Sequence, residues 1–421
     1  MKIINTLPPK GMRDFFPEDY RVREWLFDSW KNSSSKYGFE IYDTPVVENL
    51  SLLVRKAGEE ITDQIYYFKD KSNRELALRP EQTPSFARII LARENSWVYP
   101  VKLSAIVQCF RYEKMSTGRK REHYQWNVDI IGDESQIAEA EVLSTAIESI
   151  RNLGLDHEDV VVNIGSRQLI IDLLRKKNIN ESNFSDIFLV LDKKGKVSDD
   201  VLKEMLIEKG ITTDNLNKIF EIFGIKSFEE AEDITGSDSI GIQQLKSLFR
   251  YAKSFGFDQF LEFNIGIVRG LNYYTGIVFE AFDRQKKFRA IFGGGRYDNL
   301  LASFGGKQIP AVGFGFGDVV ILEVLKDLNK PLPTKRKLDY VVTYSDINLE
   351  EMAIKLSKKL RDQGKSVYLI PGATKMKKSL AMADKFNADR INILDPIEMS
   401  EGKYIEKNLK IRFLEILDFK D

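Results

Sequence analysis

Two long β-type runs, KLSAIVQCFRYEK (102–114) and HYQWNVDIIG (123–132), are separated only by the polar loop MSTGRKRE. Side chains alternate across a strand, so Gln125, Asn127 and Asp129 share one face, while Tyr124, Trp126, Val128 and Ile130 share the other. Any fold for this chain must therefore place a polar stripe on a strongly built sheet. Next to it lies a loop with Lys114, Arg119, Lys120 and Arg121, and Arg111 ends the first strand. Guanidinium groups make planar, forked contacts and keep their charge, which suits phosphate or carboxylate recognition. A half-exposed sheet ending in a solvated hairpin tip would read the same way.

At 421 residues the chain exceeds what one core usually serves, so two or three domains are expected. Basic and acidic side chains balance at 63 each, which argues neither for nor against a polyanionic partner. A single cysteine, Cys109, excludes an internal disulfide framework, and with only His123 and His157 a multi-histidine metal site is excluded too. No CxxC, HExxH or serine-elbow arrangement occurs. The start, MKIINTLPPKGMRDFFPED, has no apolar core of signal length, and no run of about 18 apolar residues appears, so a cytoplasmic, soluble protein without a membrane is expected.

Helical spacing marks residues 18–36 and 83–93, and DESQIAEAEVLSTAIESIRNLG carries a broad apolar stripe. YGFEIYDTPVVENLSLL reads as a strand broken at Pro45, and QIYYFKD with RELALRP as a hairpin. Residues 167–250 read as short helices with charged faces, a helical module inserted between strands. Strands resume at 259–281 and 287–292, and NKPLPTKRK (329–337) reads as a linker. LDYVVTY, KSVYLI and DRINIL then alternate with helical stretches in a terminal α/β domain, where 18 basic residues face 14 acidic ones from Lys335 onward.

Four further stretches carry chemistry. In LRPEQT, Glu81 and Thr83 can both accept from an ammonium group, although Thr83 also suits a helix cap. FNIGIVRGLNYYTGIVFEAFD sets Arg269, Tyr273 and Tyr274 between two apolar segments read as strands. FGGGRYD and GFGFG permit close approach of backbone to a ligand or a neighbouring element, but neither has phosphate-loop or dinucleotide spacing.

In this order the segments GMRDFFPED, LRPEQT, FRYEKMSTGRKREHYQWNVDIIG, IVRGLNYYTGIVFE, FGGGRYDNL and PAVGFGFGD resemble the histidyl-tRNA synthetases, class II aminoacyl-tRNA synthetases, over nearly the whole chain. The resemblance implies an α+β protein. Its class II antiparallel catalytic sheet with flanking helices would span 1–165 and 256–328, with a helical insertion at 166–255. A linker at 329–337 would lead to an anticodon-binding α/β domain at 338–421. It implies a homodimer that activates L-histidine with ATP and Mg2+ and passes it to the 3'-terminal adenosine of tRNA(His). Glu81, Thr83 and Gln125 would hold the amino group and main portion of the histidine. Asp129 and Tyr274 would read the imidazole, with Tyr273 close by. Arg111 would hold the α-phosphate, and Arg269 both that phosphate and the histidine carboxylate. Glu113, Arg119 and Arg121 would engage ATP.

Three departures from the family pattern stand out. Asn272 replaces an aspartate, and Asp129 a longer glutamate. Val319 and Val320 stand where a Glu-Arg pair usually ends the glycine-spaced strand and holds the γ-phosphate. The γ-phosphate contact is thereby left unaccounted for, with another basic side chain such as Arg296, or magnesium, as open alternatives. The competing class is a synthetase-like regulatory subunit of the phosphoribosyltransferase that opens histidine biosynthesis. Such relatives look as though they lost the arginine segment and the terminal domain, both of which this chain keeps.

Overall fold

The computed structural model describes residues 6–55, 62–115, 118–194, 197–268 and 274–419. The chain divides into two compact units, the larger built from residues up to Asp14 with Arg23–Pro331, the smaller from Phe15–Val22 with Leu332–Asp421.

In the larger unit the strands in chain order are β1 (Glu40–Ile41), β2 (Val47–Asn49), β3 (Tyr67–Lys69), β4 (Glu75–Leu78), β5 (Val101–Phe110), β6 (Glu122–Ile131), β7 (Val160–Ser166), β8 (Leu261–Phe263), β9 (Ile277–Asp283), β10 (Phe292–Arg296) and β11 (Ala311–Gly317). Eight of them form one sheet in the order β1-β5-β6-β11-β10-β9-β7-β8. Its six central strands are antiparallel; the short edge strands β1 and β8 pair parallel to β5 and β7. A three-stranded sheet, β2-β4-β3, lies apart from it.

The two faces of the large sheet differ because β11 alternates glycine with bulky apolar residues. Phe314 and Phe316 point to the side of Trp126, where Trp30 from the helix Pro17–Lys36 stacks on Trp126 at 5.8 Å. The Trp126 indole N–H donates to Ser34 Oγ and Ser104 Oγ at 3.0 and 2.9 Å, whereas the buried Trp30 indole N–H has no hydrogen-bond partner among the described residues. Each fully buried ring of this kind is worth about 1.5–3 kcal/mol relative to exposure. The opposite face has Gly313, Gly315 and Gly317 in register with Asp129, Asn127 and Gln125. It is closed at one end by Phe86, Ala87 and Ile90 of the helix Thr83–Ala92, packed with Leu103, Ile131, Val278 and Ala311.

Several local expectations are corrected. LSLL is not strand: Leu50–Val54 is a short helix after β2. Ile265–Val268 forms a turn and irregular chain rather than a strand, since Ile267 N–H bonds back to Asn264 O at 3.1 Å. The strand expected at 287–292 is displaced onto the glycine run itself, because Gly294 and Gly295 lie where side chains would strike neighbouring backbone. Thr83 does not cap its helix; Gln82 takes that position, and no side chain caps it. Between Arg167 and Phe255 the described residues are mostly helical, as the charged apolar pattern requires.

The smaller unit has a five-stranded sheet, β13-β12-β14-β15-β16, built from β12 (Leu338–Tyr344), β13 (Val367–Leu369), β14 (Ala388–Leu394), β15 (Lys403–Asn408) and β16 (Phe413–Asp418). The first three pair in parallel, as three strands separated by helices must; β15 and β16 add an antiparallel extension beyond the three strands expected.

Candidate active site

The polar stripe predicted along β6 exists, and its backing explains how it stays open. Gln125, Asn127 and Asp129 have Val107, Ala105 and Leu103 as their partners on β5, and glycines on β11. A Cβ at Gly313 would collide with Asp129 Oδ1 and the Val128 carbonyl, and one at Gly315 would lie 2.8 Å from Gln125 Nε2. The glycine-spaced strand is therefore a bed for the side chains of β6. At Gly313 and Gly315 the element that approaches so closely is β6 itself.

Gln125 is oriented from both ends. Its Nε2 donates to Asn127 Oδ1 at 3.0 Å, and His123 Nε2 lies 3.4 Å from its Oε1. Burial and the neighbouring Arg111 charge push His123 down to about 3, so its ring is neutral at physiological pH and can donate to that oxygen. Asp129, 6% exposed, accepts from the hydroxyl of Tyr297. Tyr297 in turn meets Tyr274 edge to face at 6.3 Å, and both rings belong to the apolar cluster around Phe86.

Burial raises Asp129 from 3.8 to about 7, opposed by the Tyr297 bond. The folded chain thus holds this proton more tightly than the unfolded one. Asp129 accordingly withdraws stability as pH climbs from 3.8 through about 7. For a ligand N–H the ionised form is the better acceptor. We expect KM for an imidazole-bearing substrate to fall as pH rises through 7, and this limb to vanish in Asp129→Asn. Since free imidazole titrates near 6.5 itself, the difference between the two pH profiles is the readout.

The cationic side separates into spent and open arginines. Arg79, 3% exposed, is a staple: Nε donates to Gln108 O at 2.9 Å and NH1 to Thr44 O at 2.7 Å. Arg119 pairs with Glu113 at 2.9 Å, and the Arg121 guanidinium lies 3.9 Å from the centre of the Tyr112 ring. Arg111 differs. Its Nε donates to Pro80 O at 2.9 Å, and the rest of its fork has no partner among the described residues. That bond also ties it to the segment carrying Glu81, which is 8% exposed, and Thr83. Arg269, Asn272 and Tyr273 lie outside the described residues.

Arg296 does not replace the missing phosphate arginine. Its side chain is buried, and Nε and NH2 fork onto Glu139 at 2.6 Å each. The remaining donors go to Asp133 O, Ser135 O and Asp298, so all five N–H groups are used inside the protein. Val319 and Val320 are buried, and a Cβ at Gly118 would come 3.5 Å from Val320 Cγ2, which makes Val320 a seat for the basic loop. Arg13 is nearby but serves two carboxylates: NH1 reaches Asp318 at 2.9 Å and its backbone N–H donates to Glu122 at 2.9 Å. Tyr297, His123 and Arg13 carry no role in the sequence reading; for Tyr297 the available signal was its place one residue past the glycine run.

The family model described as histidyl-tRNA synthetase matches residues 11–317, a span that holds every group above except Asp318, Val319 and Val320. The chain belongs to the histidyl-tRNA synthetase family. A histidine–tRNA ligase of Arabidopsis thaliana, described as chloroplastic/mitochondrial, is 43% identical over 97% of this chain and 84% of its own length. The histidine–tRNA ligase of Thermoplasma volcanium is 36% identical over 90% and 87%. Among solved structures, the histidyl-tRNA synthetase from Nostoc sp. PCC 7120 superposes with a TM-score of 0.83 at 24% identity, covering 99% of this chain and 97% of that one. A Bacillus halodurans structure titled ATP phosphoribosyltransferase regulatory subunit/histidyl-tRNA synthetase reaches 0.75 at 23% identity, covering 94% and 99%, and speaks to the fold alone.

Proposed function

We propose that this chain activates L-histidine with ATP and transfers it to the 3'-terminal adenosine of tRNA(His), acting as a cytoplasmic homodimer. The observation that carries the reading is the oriented stripe Gln125–Asn127–Asp129 on a glycine bed, running toward an arginine whose fork is open. A carboxylate oxygen of histidine attacks the α-phosphorus, and the bond to the pyrophosphate oxygen breaks. Both reactants are anionic, so their repulsion must be cancelled in a fixed geometry. Arg111 supplies that charge from the end of β5, and Arg269, by family resemblance, from the other side.

Glu81, Thr83 and Gln125 hold the amino group and main portion of the amino acid. Asp129 accepts an imidazole N–H, with Tyr274 and Tyr273 beside the ring. Glu113, Arg119 and Arg121 engage ATP, which requires the Glu113–Arg119 pair to open or to bind as a unit. Glu113, just before the basic loop, is the carboxylate that would hold a phosphate-borne magnesium ion, which would supply positive charge to the phosphates.

Among the described residues no helix is long and apolar enough to cross a membrane. The terminal unit, with its basic excess, is the expected contact for the anticodon, and the helical insertion for the acceptor arm. The test is histidine-dependent exchange of pyrophosphate into ATP by the full chain. Absence of exchange would leave the regulatory-subunit reading standing instead. Removing residues 335–421 should impair tRNA charging far more than exchange; equal loss of both would assign that unit a structural role.

A further inference from the structure

The segment GMRDFFPED near the start of the chain has no part in the chemistry proposed above. Its first residues form a strap against the basic loop. Met12 N–H donates to Pro9 O at 2.9 Å, which closes a turn with Lys10 and Gly11 at its centre. Gly11 has a φ of +88°, the left-handed conformation that the third position of such a turn calls for. The Gly11 carbonyl accepts from Arg121 N–H at 3.0 Å. A Cβ at Gly11 would lie 2.7 Å from Arg121 Cγ and 2.9 Å from its Cβ and Cδ, closer than carbon atoms pack.

The strap is anchored at its other end. Arg13 N–H donates to Glu122 Oε1 at 2.9 Å, and Arg13 NH1 to Asp318 Oδ2 at 2.9 Å. Glu122 opens β6 and Asp318 directly follows β11, so the anchor is the large sheet and not the loop. Arg121 is thereby held on three sides. Gly11 covers its stem, the Tyr112 ring centre lies 3.9 Å from its guanidinium, and Nε faces Glu113 O at 3.5 Å. Tyr112 is fixed in turn: its N–H donates to Gln64 O at 2.7 Å, and its ring meets Tyr66 edge-on at 5.5 Å. NH1 and NH2 of Arg121 have no hydrogen-bond partner among the described residues. Fixing so long a side chain in advance reduces the rotamer entropy lost when its free end meets a phosphate.

We infer that Gly11 and Arg13 are positioning residues for ATP, setting the stem of Arg121 so that its free NH1 and NH2 meet the phosphates. This rests on the reading of Arg121 as an ATP ligand proposed above. Glycine serves twice at position 11, once for the turn and once for the close approach, and the two needs can be separated. Asparagine tolerates the left-handed φ of the turn but brings a Cβ against Arg121.

The test compares Gly11→Asn, Arg121→Ala and the double variant in the full chain. Histidine-dependent pyrophosphate exchange and thermal melting, with and without ATP, are measured beside the parent. In Gly11→Asn, KM for ATP should rise about tenfold while KM for histidine stays within roughly twofold. In the Arg121→Ala background the same substitution should leave KM for ATP unchanged, because its effect runs through that side chain. The ligand-free melting temperature should change little, and the upward shift on adding ATP should shrink. Arg13→Lys, which keeps a cation beside Asp318 but not the fork, should raise KM for ATP in the same direction.

A KM for ATP within twofold of the parent in Gly11→Asn would overturn the inference. So would a rise that persists in full in the Arg121→Ala background, since the substitution would then act on the fold or on another ATP contact. If Gly11→Asn does not fold, Arg13→Lys decides, and an unchanged KM for ATP there overturns the strap. A parent chain without exchange but with an ATP-induced melting shift defeats the synthetase reading alone, and the melting arm of the same comparison then decides. A parent with no ATP-induced shift defeats both.

Discussion

Replacing Arg111 with alanine should lower kcat for histidine-dependent pyrophosphate exchange by on the order of 10²–10³-fold, the loss seen when one preorganised donor to a developing oxyanion is removed. Position and availability both support the size of this effect. The residue directly follows the ten-residue strand β5, and its backbone N–H donates to Arg121 O at 3.0 Å, which fixes its Cα. Its Nε bond to Pro80 O fixes the plane of the guanidinium and leaves NH1 and NH2 directed elsewhere, with no partner among the described residues. The other buried or loop arginines around the site are already committed: Arg79 to carbonyls, Arg119 to Glu113, Arg296 to Glu139.

The alanine variant gives up one bond inside the protein, so its stability should fall by only about 1 kcal/mol, and thermal melting separates that from the catalytic loss. Arg111→Lys keeps the charge but not the fork and should recover only part of the rate. KM for histidine should change little, since the charge matters most where the pentacoordinate phosphate forms. Exchange within about fivefold of the parent rate would mean that the open fork is not the phosphate ligand.

Much of this site is readable from residue order because a strand repeats every second residue. Gln125, Asn127 and Asp129 declare a shared face in the sequence itself, and the glycines of β11 declare the space opposite them. The pairing of Asp129 with Tyr297 is not readable in that way. It depends on β11 lying between β6 and β10, and on Gly313 leaving room for both side chains.

Short-range reading failed where tertiary contacts outweigh local pattern. Ile265–Val268 has strand composition but turns, with Ile265 and Val268 buried. FGGGR lacks strand propensity, yet close approach of β9 and β11 demands glycine there. β16 was overlooked because its side chains are mostly exposed on an edge, so no clean apolar alternation marks it. The helix that begins at Thr83 was legible, but its cap was not, because Gln82 is drawn into a bond network with Thr44 and Arg79 from a distant part of the chain.

The arginine in the glycine run, Arg296, looks from sequence like a phosphate ligand, and its environment predicts a different phenotype. Arg296→Met should destabilise the larger unit by about 3–5 kcal/mol, because it leaves the Glu139 carboxylate buried without its counter-charge. The two side chains are 4% and 1% exposed and joined by two bonds of 2.6 Å, so no water can take over the role. Burial already raises the Glu139 carboxyl above its ordinary value, with Arg296 opposing the shift. Without the arginine the folded state should hold the proton more tightly still. A carboxyl raised by folding loses stability as pH increases, so the penalty measured by urea denaturation should be larger at pH 8 than at pH 5. The double variant Arg296→Met/Glu139→Leu removes both charges from the interior and should recover most of the loss. It also separates structure from catalysis: with stability restored, KM for ATP should stay within about twofold of the parent value. A KM for ATP that remains raised tenfold or more in the stable double variant would return Arg296 to the phosphate site.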